Sequence, residues 1–265
     1  MLSILKLIYR RLNLIFHYGS NNKIYGLIDL EEKILSIINK LYKNEIYVLN
    51  GPFSGMKYIS ESNGSQLLPK LIGCYEEPIH NWILEIINNP IYKTIIDVGC
   101  AEGYYAVGFA KSPHHPQIIA FDIDNTALEN AKKLAVLNNV VESIKFFNQF
   151  EYKFLENLLK SKPNQKVLVF MDIEGDERIL LDTKKFPVIK ECDFLVELHD
   201  CFYPGLTEKI ISFFNQTHKI QIILDYPWRE KEYCFNYNDF SSDETHFLFN
   251  ENRPTGMSWM YAKRK

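Results

Sequence analysis

The 265-residue chain lacks most of the features that quickly betray a function. Its five cysteines, Cys74, Cys100, Cys192, Cys201 and Cys234, are scattered, odd in number, and form no C-x-x-C pair. That argues against a disulfide framework and a cysteine zinc site, fits a reducing compartment, and lets each thiol read as a small buried hydrophobe. Neither sign of charge dominates: 30 Lys and Arg face 33 Asp and Glu, for a formal charge of −3. A basic stripe for nucleic acid is therefore missing, and no nucleic-acid partner is expected. No apolar run approaches the roughly 20 residues of a spanning helix. The N-terminal MLSILKLIYRRLNLIFHYG is broken by Lys6, Arg10 and Arg11. Those charges sit inside the apolar stretch rather than before it, which is wrong for a secretion signal. The segment reads as an amphipathic helix docked on its own domain, with peripheral membrane contact and a homodimer as alternatives. A cytoplasmic location is expected.

What the chain does have is core-forming material: 46% of residues are hydrophobic and 14% aromatic, which excludes global disorder. Residues 1 to about 45 read as two helices separated by GSNN, the second carrying LEEKILSIINKLY. Residues 46–70 hold two short apolar runs bounded by Gly, Pro and Asn, the pattern of a small β-hairpin or β-rich arm. A helix is expected near 75–88. From residue 93 the rhythm is regular. KTIIDVG, QIIAFDI, SIKFFN, KVLVFMDIE, CDFLVEL and KIQIILDY read as strands, most of them separated by helical stretches. That alternation predicts βαβ units in a doubly wound, mostly parallel seven-stranded sheet with a Rossmann-like architecture. The last apolar run, MSWMYAK, is expected to pair antiparallel at the sheet's end. The expected division is an N-terminal helical and β extension over 1–70 and a ligand-binding domain over 71–265.

In such sheets ligands bind beyond the carboxyl ends of the strands. The first strand ends in Asp97-Val98-Gly99-Cys100-Ala101-Glu102-Gly103, a D-x-G-x-x-x-G spacing rather than the dinucleotide G-x-G-x-x-G. Gly99 lets the chain turn and a ligand approach the backbone, and Gly103 permits close packing at the helix start. No phosphate-binding lysine follows, so a nucleoside triphosphate is not expected, and the glycine spacing disfavours NAD. Asp122 closes the next strand, where a carboxylate can accept hydrogen bonds from both hydroxyls of a ribose. A glycine loop without phosphate machinery, joined to a ribose carboxylate, suits S-adenosylmethionine. The expected cofactor contacts are Asp97, Gly99, Cys100, Ala101, Glu102, Gly103, Tyr104, Asp122 and Ile123. Tyr75 and Glu76 are expected over the cofactor's amino-acid end, although Glu76 also reads as a first-turn helix acid.

At these motifs the chain resembles the class I S-adenosylmethionine-dependent methyltransferases. Within them, LVFMDIEGDERILL is similar to the D-x-E-G-x-E signature of the FkbM family, here Asp172, Glu174, Gly175 and Glu177. FLVELHD is similar to that family's Glu-x-His segment, here Glu197 and His199. The likeness spans roughly residues 70–225 and implies O-methylation of a sugar on a glycan or a glycosylated small molecule. An N-methyltransferase of a protein or small amine, or a non-catalytic scaffold on the same fold, is the alternative.

Strand alternation points Asp172 and Glu174 one way and places Glu197 and His199 likewise on a neighbouring strand. Methyl transfer to a hydroxyl needs alignment and removal of a proton, so Asp172, His199 and Glu174 are the catalytic candidates. His199 also reads as a hydrogen-bonded structural histidine, and Glu177 as a helix cap. Asp172, Glu174, His199 and Asp200 offer ligands for a divalent ion such as magnesium, but no metal-ligand spacing is present and no metal is predicted. Acceptor contacts are expected from Glu197, Asp200, Trp228, Arg229 and Arg253, the last three within a long polar and aromatic stretch that could act as a lid.

Overall fold

The computed structural model describes residues 23–226, 233 and 235–265, with side chains from residue 30 onward. The helix expected over residues 1–19, and Trp228, Arg229 and Cys234, lie outside the described residues. Helix α1 (Lys23–Leu41) leads into an arm whose only strand-like pairing is an isolated bridge between Tyr47 and Lys57. The expected hairpin is thus reduced to one bridge. Asn50, Gly51 and Pro52 interrupt the first run, and Gly51 turns with φ +74°. Two short helices follow, α2 (Leu67–Ile72) and α3 (His80–Asn88).

The alternation then proceeds as read: β1 (Tyr92–Val98), α4 (Tyr104–Ala110), β2 (Gln117–Phe121), α5 (Asn125–Leu137), β3 (Ile144–Phe147) and α6 (Tyr152–Ser161). Next come β4 (Lys166–Met171), α7 (Glu177–Leu180), β5 (Asp193–His199), α8 (Leu206–Phe214) and β6 (His218–Leu224). The chain closes with α9 (Ser242–Phe249) and β7 (Met257–Arg264). Among the described residues, seven strands form one sheet in the order β3-β2-β1-β4-β5-β7-β6. The pairings from β3 to β5 are parallel, and β7 is antiparallel to both β5 and β6.

β7 lies between β5 and β6 rather than at the sheet's end. Burial explains the placement: Met257 through Ala262 are all buried, whereas Lys219, Gln221 and Leu224 of β6 face solvent. A strand covered on both faces belongs inside, and the amphipathic one belongs at the edge.

Alternation along the central strands divides the core into two layers. Ile95, Ile118, Leu168, Phe170 and Leu195 face a layer filled by α3, α4, α5 and the arm. Ile96, Ile119, Val169, Met171 and Val196 face the other layer, filled by α6 and α8. The expected division at residue 70 falls inside α2, and one buried cluster runs from Ile37 through Phe53 and Tyr58 to Tyr104 and Phe170. Phe53 lies edge-on to Tyr104, with ring centroids 5.2 Å apart, and covers the position where a side chain on Gly108 would go. The arm therefore packs directly on the helix that follows the glycine loop. Among the described residues, no helix is long and apolar enough to cross a membrane.

Candidate active site

The strand order reverses between β1 and β4, so a crevice opens beyond their carboxyl ends. Gly99 there has φ +87°, and a side chain on it would collide with the Asp172 carbonyl. The loops after β1 and β4 thus meet backbone to backbone, which only glycine permits. Ala101 holds φ +48° in the same turn, and the backbone N–H groups of Gly99 and Cys100 both donate to the Phe121 carbonyl. Asp122 ties this loop to the next one. Its Oδ2 accepts from the Ala101 N–H at 2.8 Å and its Oδ1 from the Asp124 N–H at 2.8 Å.

Asp97 is 1% exposed, and among the described residues its carboxylate has the Ala106 backbone as a weak donor and no well-formed hydrogen bond. Burial, then the negative charges of Asp122 and Asp172, push its pKa well above the carboxylate range. An under-satisfied buried acceptor beside a backbone turn fits a cationic donor. S-adenosylmethionine carries one in its ammonium group, so the residues present suit that cofactor.

Not every residue expected at the cofactor turns toward it. The Glu102 carboxylate is fully buried and engaged by Lys70, Tyr58, Ser62 and Asn63, so this residue can offer the cofactor its backbone alone. Tyr104 and Tyr75 are buried in an aromatic cluster with their ring centroids 5.5 Å apart. The Cys100 side chain is buried, while Ile123 is 66% exposed at the end of β2. Glu76 is 1% exposed in a left-handed conformation (φ +52°) and accepts from the Tyr105 hydroxyl. Burial, tempered by Arg253, brings its pKa up to about 7.

The second half of the site gathers around His199, which has no exposed surface. Its Nδ1 stands 3.3 Å from Glu177 Oε1, and its Nε2 lies 3.4 Å from Glu197, 3.6 Å from Glu174 and 3.7 Å from Asp172. Glu197 and His199 share one side of β5, as alternation requires. Asp172 and Glu174 reach the same point differently. β4 ends at Met171, and the left-handed turn at Glu174 (φ +58°) and Gly175 (φ +93°) brings the glutamate back. Glu177 caps this turn by accepting from the Ile173 N–H at 3.0 Å.

Burial would lower the His199 pKa, but Glu197 and Glu177 dominate and raise it to about 12. Those two carboxylates favour the protonated ring over the neutral form that a base would need. Asp172 is pushed up as well: burial and its neighbours Glu197 and Glu174 raise its pKa well above the usual carboxylate range. Its ionised form is correspondingly basic.

Two expected acceptor contacts have other work. The Asp200 carboxylate accepts from the Thr207 N–H and hydroxyl and from the Gly205 N–H, closing the start of α8. Arg253 is enclosed by carboxylates: Glu76, Glu197, Glu251 at 2.7 Å and Asp225 at 3.4 Å. A guanidinium so neutralised is an internal counter-cation rather than a free grip for an acceptor anion. The sequence reading did not select Glu251 or Asp225, because neither belongs to a motif and only folding brings them to Arg253. The carboxylates of Asp172 and Glu174 with His199 lie close enough to hold one metal ion, as do Glu76, Asp172 and Glu197.

The stretch after β6 contains a helix that the sequence reading missed. Ser241 and Glu244 form a capping box at the start of α9, an S-x-x-E signal present in the chain. Lys40 of α1 donates to Glu244 at 2.7 Å.

The sequence matches a family model described as O-methyltransferase over residues 66–206, more than half of the chain. No curated protein matches it. Among solved structures it is similar to the human methyltransferase 10 domain containing protein, at 14% identity and TM-score 0.51, covering 92% of this chain and 98% of that one. It is also similar to the O-methyltransferase TomG of Streptomyces achromogenes, involved in tomaymycin synthesis and solved with SAM, at 11% identity and TM-score 0.43, covering 66% and 74%. An rRNA methylase of Streptococcus thermophilus is similar at 11% identity and TM-score 0.46, covering 71% and 97%.

Proposed function

The chain belongs to the O-methyltransferase family and is an S-adenosylmethionine-dependent methyltransferase, and from that premise we propose that it methylates a sugar hydroxyl on a glycan or a glycosylated small molecule, with Asp172 as the base. One observation carries the assignment of the reaction centre. Asp172 is joined to the glycine loop through the Gly99 contact and also faces His199, so one residue borders both halves of the crevice. The sugar acceptor is supported by the D-x-E-G-x-E and Glu-x-His segments, which resemble the FkbM family.

S-adenosylmethionine supplies an electrophilic methyl group on a sulfonium. The chain's own residues do the remaining work. Gly99, Cys100 and Ala101 present backbone to the cofactor, Asp122 takes its ribose hydroxyls, and Asp97 takes its ammonium. The segment that carries Glu76 closes the amino-acid end. Asp172 Oδ1 accepts the proton of the acceptor hydroxyl, and Glu174 orients that hydroxyl from the same turn. His199, with its Nδ1 beside Glu177 and its Nε2 beside Glu197, sets positive charge 3.7 Å from Asp172 and keeps the acid cluster from repelling itself apart. A metal-assisted version is favoured by the Asp172–Glu174–His199 grouping, in which a divalent ion would polarise the acceptor oxygen. Loss of turnover on chelation, restored by magnesium, would select it; turnover unchanged by chelation would select the metal-free version.

Calorimetric titration with S-adenosylhomocysteine tests the cofactor half. Micromolar affinity, about −8 kcal/mol, is expected, with Asp122→Ala weakening it by at least about tenfold. Unchanged affinity in that variant would remove Asp122 from the ribose. The proton-transfer half is read from the pH profile of kcat. Because the Asp172 pKa is raised, the rate should climb with pH above the usual carboxylate range as the group ionises. With His199 raised to about 12, loss of its proton should leave no falling limb below about pH 9. A profile governed by one group near pH 6.5, lost in His199→Asn, would return the base to His199.

A further inference from the structure

The Glu102 tether concerns a part of the chain to which the reaction assigns no role, and it rests on the reading that residues 99–103 carry the cofactor. Glu102 stands between Ala101 (φ +48°) and Gly103 (φ +91°) in that loop, and its carboxylate reaches into the arm. Oε1 accepts from the Tyr58 hydroxyl at 2.7 Å, from Ser62 Oγ at 3.1 Å and from Lys70 Nζ; Oε2 accepts from the Asn63 N–H at 2.9 Å. Lys70, 2% exposed, also donates to Ser62 Oγ at 3.3 Å and lies 4.9 Å from the centre of the Tyr75 ring. Every partner of this carboxylate falls within residues 58–70, upstream of the first strand.

We infer that Lys70 and Glu102 are a positioning pair for the cofactor loop, so that the segment from Tyr58 to Lys70 is a working part of the cofactor site rather than an appendage to it. Stability alone is a poor reason for the pair. A buried ion pair returns little over a well-packed apolar substitute, because desolvation offsets the attraction. Position is a better reason. Donors from several directions fix the carboxylate, and through it the backbone of a loop whose alanine sits in a conformation that surroundings must enforce. The loop's other anchor, Asp122 on the Ala101 N–H, comes from β2, so the turn is held from two sides. Lys70 also spans to the ring of Tyr75, which links the tether to the segment expected over the cofactor's amino-acid end.

The test compares the double variant Lys70→Met/Glu102→Gln, which strands neither charge, with Lys70→Arg, which keeps the charge and changes its shape. Melting temperature, S-adenosylhomocysteine affinity, KM for the cofactor, KM for the acceptor and kcat are measured on each. The double variant should melt within a few degrees of the parent yet bind the product at least about tenfold more weakly. Cofactor KM should rise in parallel, with acceptor KM and saturating kcat within about threefold. Lys70→Arg should show the same pattern at smaller size, and it carries the decision if the double variant does not fold. Affinity within twofold of the parent in a folded variant overturns the positioning role. Asp122→Ala separates the two claims. If it weakens binding and the tether variants do not, only the tether proposal fails. If neither weakens it, the loop is not the cofactor site and the underlying reading falls with the proposal.

Discussion

Asp172→Asn is expected to lower kcat about 10²–10⁴-fold while leaving S-adenosylhomocysteine affinity within about threefold. Asparagine keeps the shape of the side chain and the backbone N–H that bonds the Val98 carbonyl at 3.1 Å, so the junction of the two loops should persist. What it loses is a proton acceptor. The same substitution should raise thermal stability. A carboxylate whose folded pKa lies above its unfolded value binds its proton more tightly when folded, so its ionised form costs stability as pH rises. Removing that charge relieves the cost, and the melting temperature at pH 8 should increase. Activity lost with stability gained is the mark of a residue kept for chemistry. A variant that retained full turnover would take the base away from Asp172. One that lost both activity and stability would make the residue a structural one.

Arg253→Met should have the largest effect on stability. Glu76 and Glu197 are 1% and 2% exposed, and Arg253 bonds both of them. Taking away one partner of a buried ion pair leaves an uncompensated charge, which typically costs about 3–5 kcal/mol. The penalty should depend on pH in a definite direction. Glu76 already has its pKa raised to about 7 with the arginine present, and without that cation the value must rise further. Protonation on acidification neutralises the stranded charge, so the deficit should be greatest above neutrality and shrink toward pH 5. Urea unfolding of both proteins at pH 5 and pH 8 measures it. A deficit that is small, or equal at the two values, would mean that the guanidinium is not the counter-cation of these acids. Cofactor affinity should fall too, because Glu76 would lose one of the two side chains that hold it.

The two predictions depend on different kinds of information. That Asp172 ends a buried strand beside a glycine turn can be read from LVFMDIEG alone, since apolar runs and the residues that break them are local signals. That Arg253 belongs with Glu197 cannot, because the two are 56 positions apart and no periodicity connects them. The same distinction explains the reassigned residues. Asp200 precedes a helix and closes its start, but its bonds to Thr207 depend on how the intervening turn folds. Glu102 sits inside the glycine motif, and a linear pattern does not say to which side of the loop a side chain turns.

The sequence by itself determined the alternation of strands and helices, the mostly parallel sheet, the glycine turn at the end of the first strand, and the carboxylates that close the strands around it. Each follows from hydrophobic period and backbone permission within a few residues. The tertiary structure alone decided that the last strand enters the sheet between β5 and β6, that the arm reaches the glycine loop through Glu102, and that four carboxylates gather around His199. Such properties are sums over neighbours drawn from distant segments. A His199 pKa raised by Glu197 and Glu177 against burial exists only once β5 and the turn between β4 and α7 have been packed side by side.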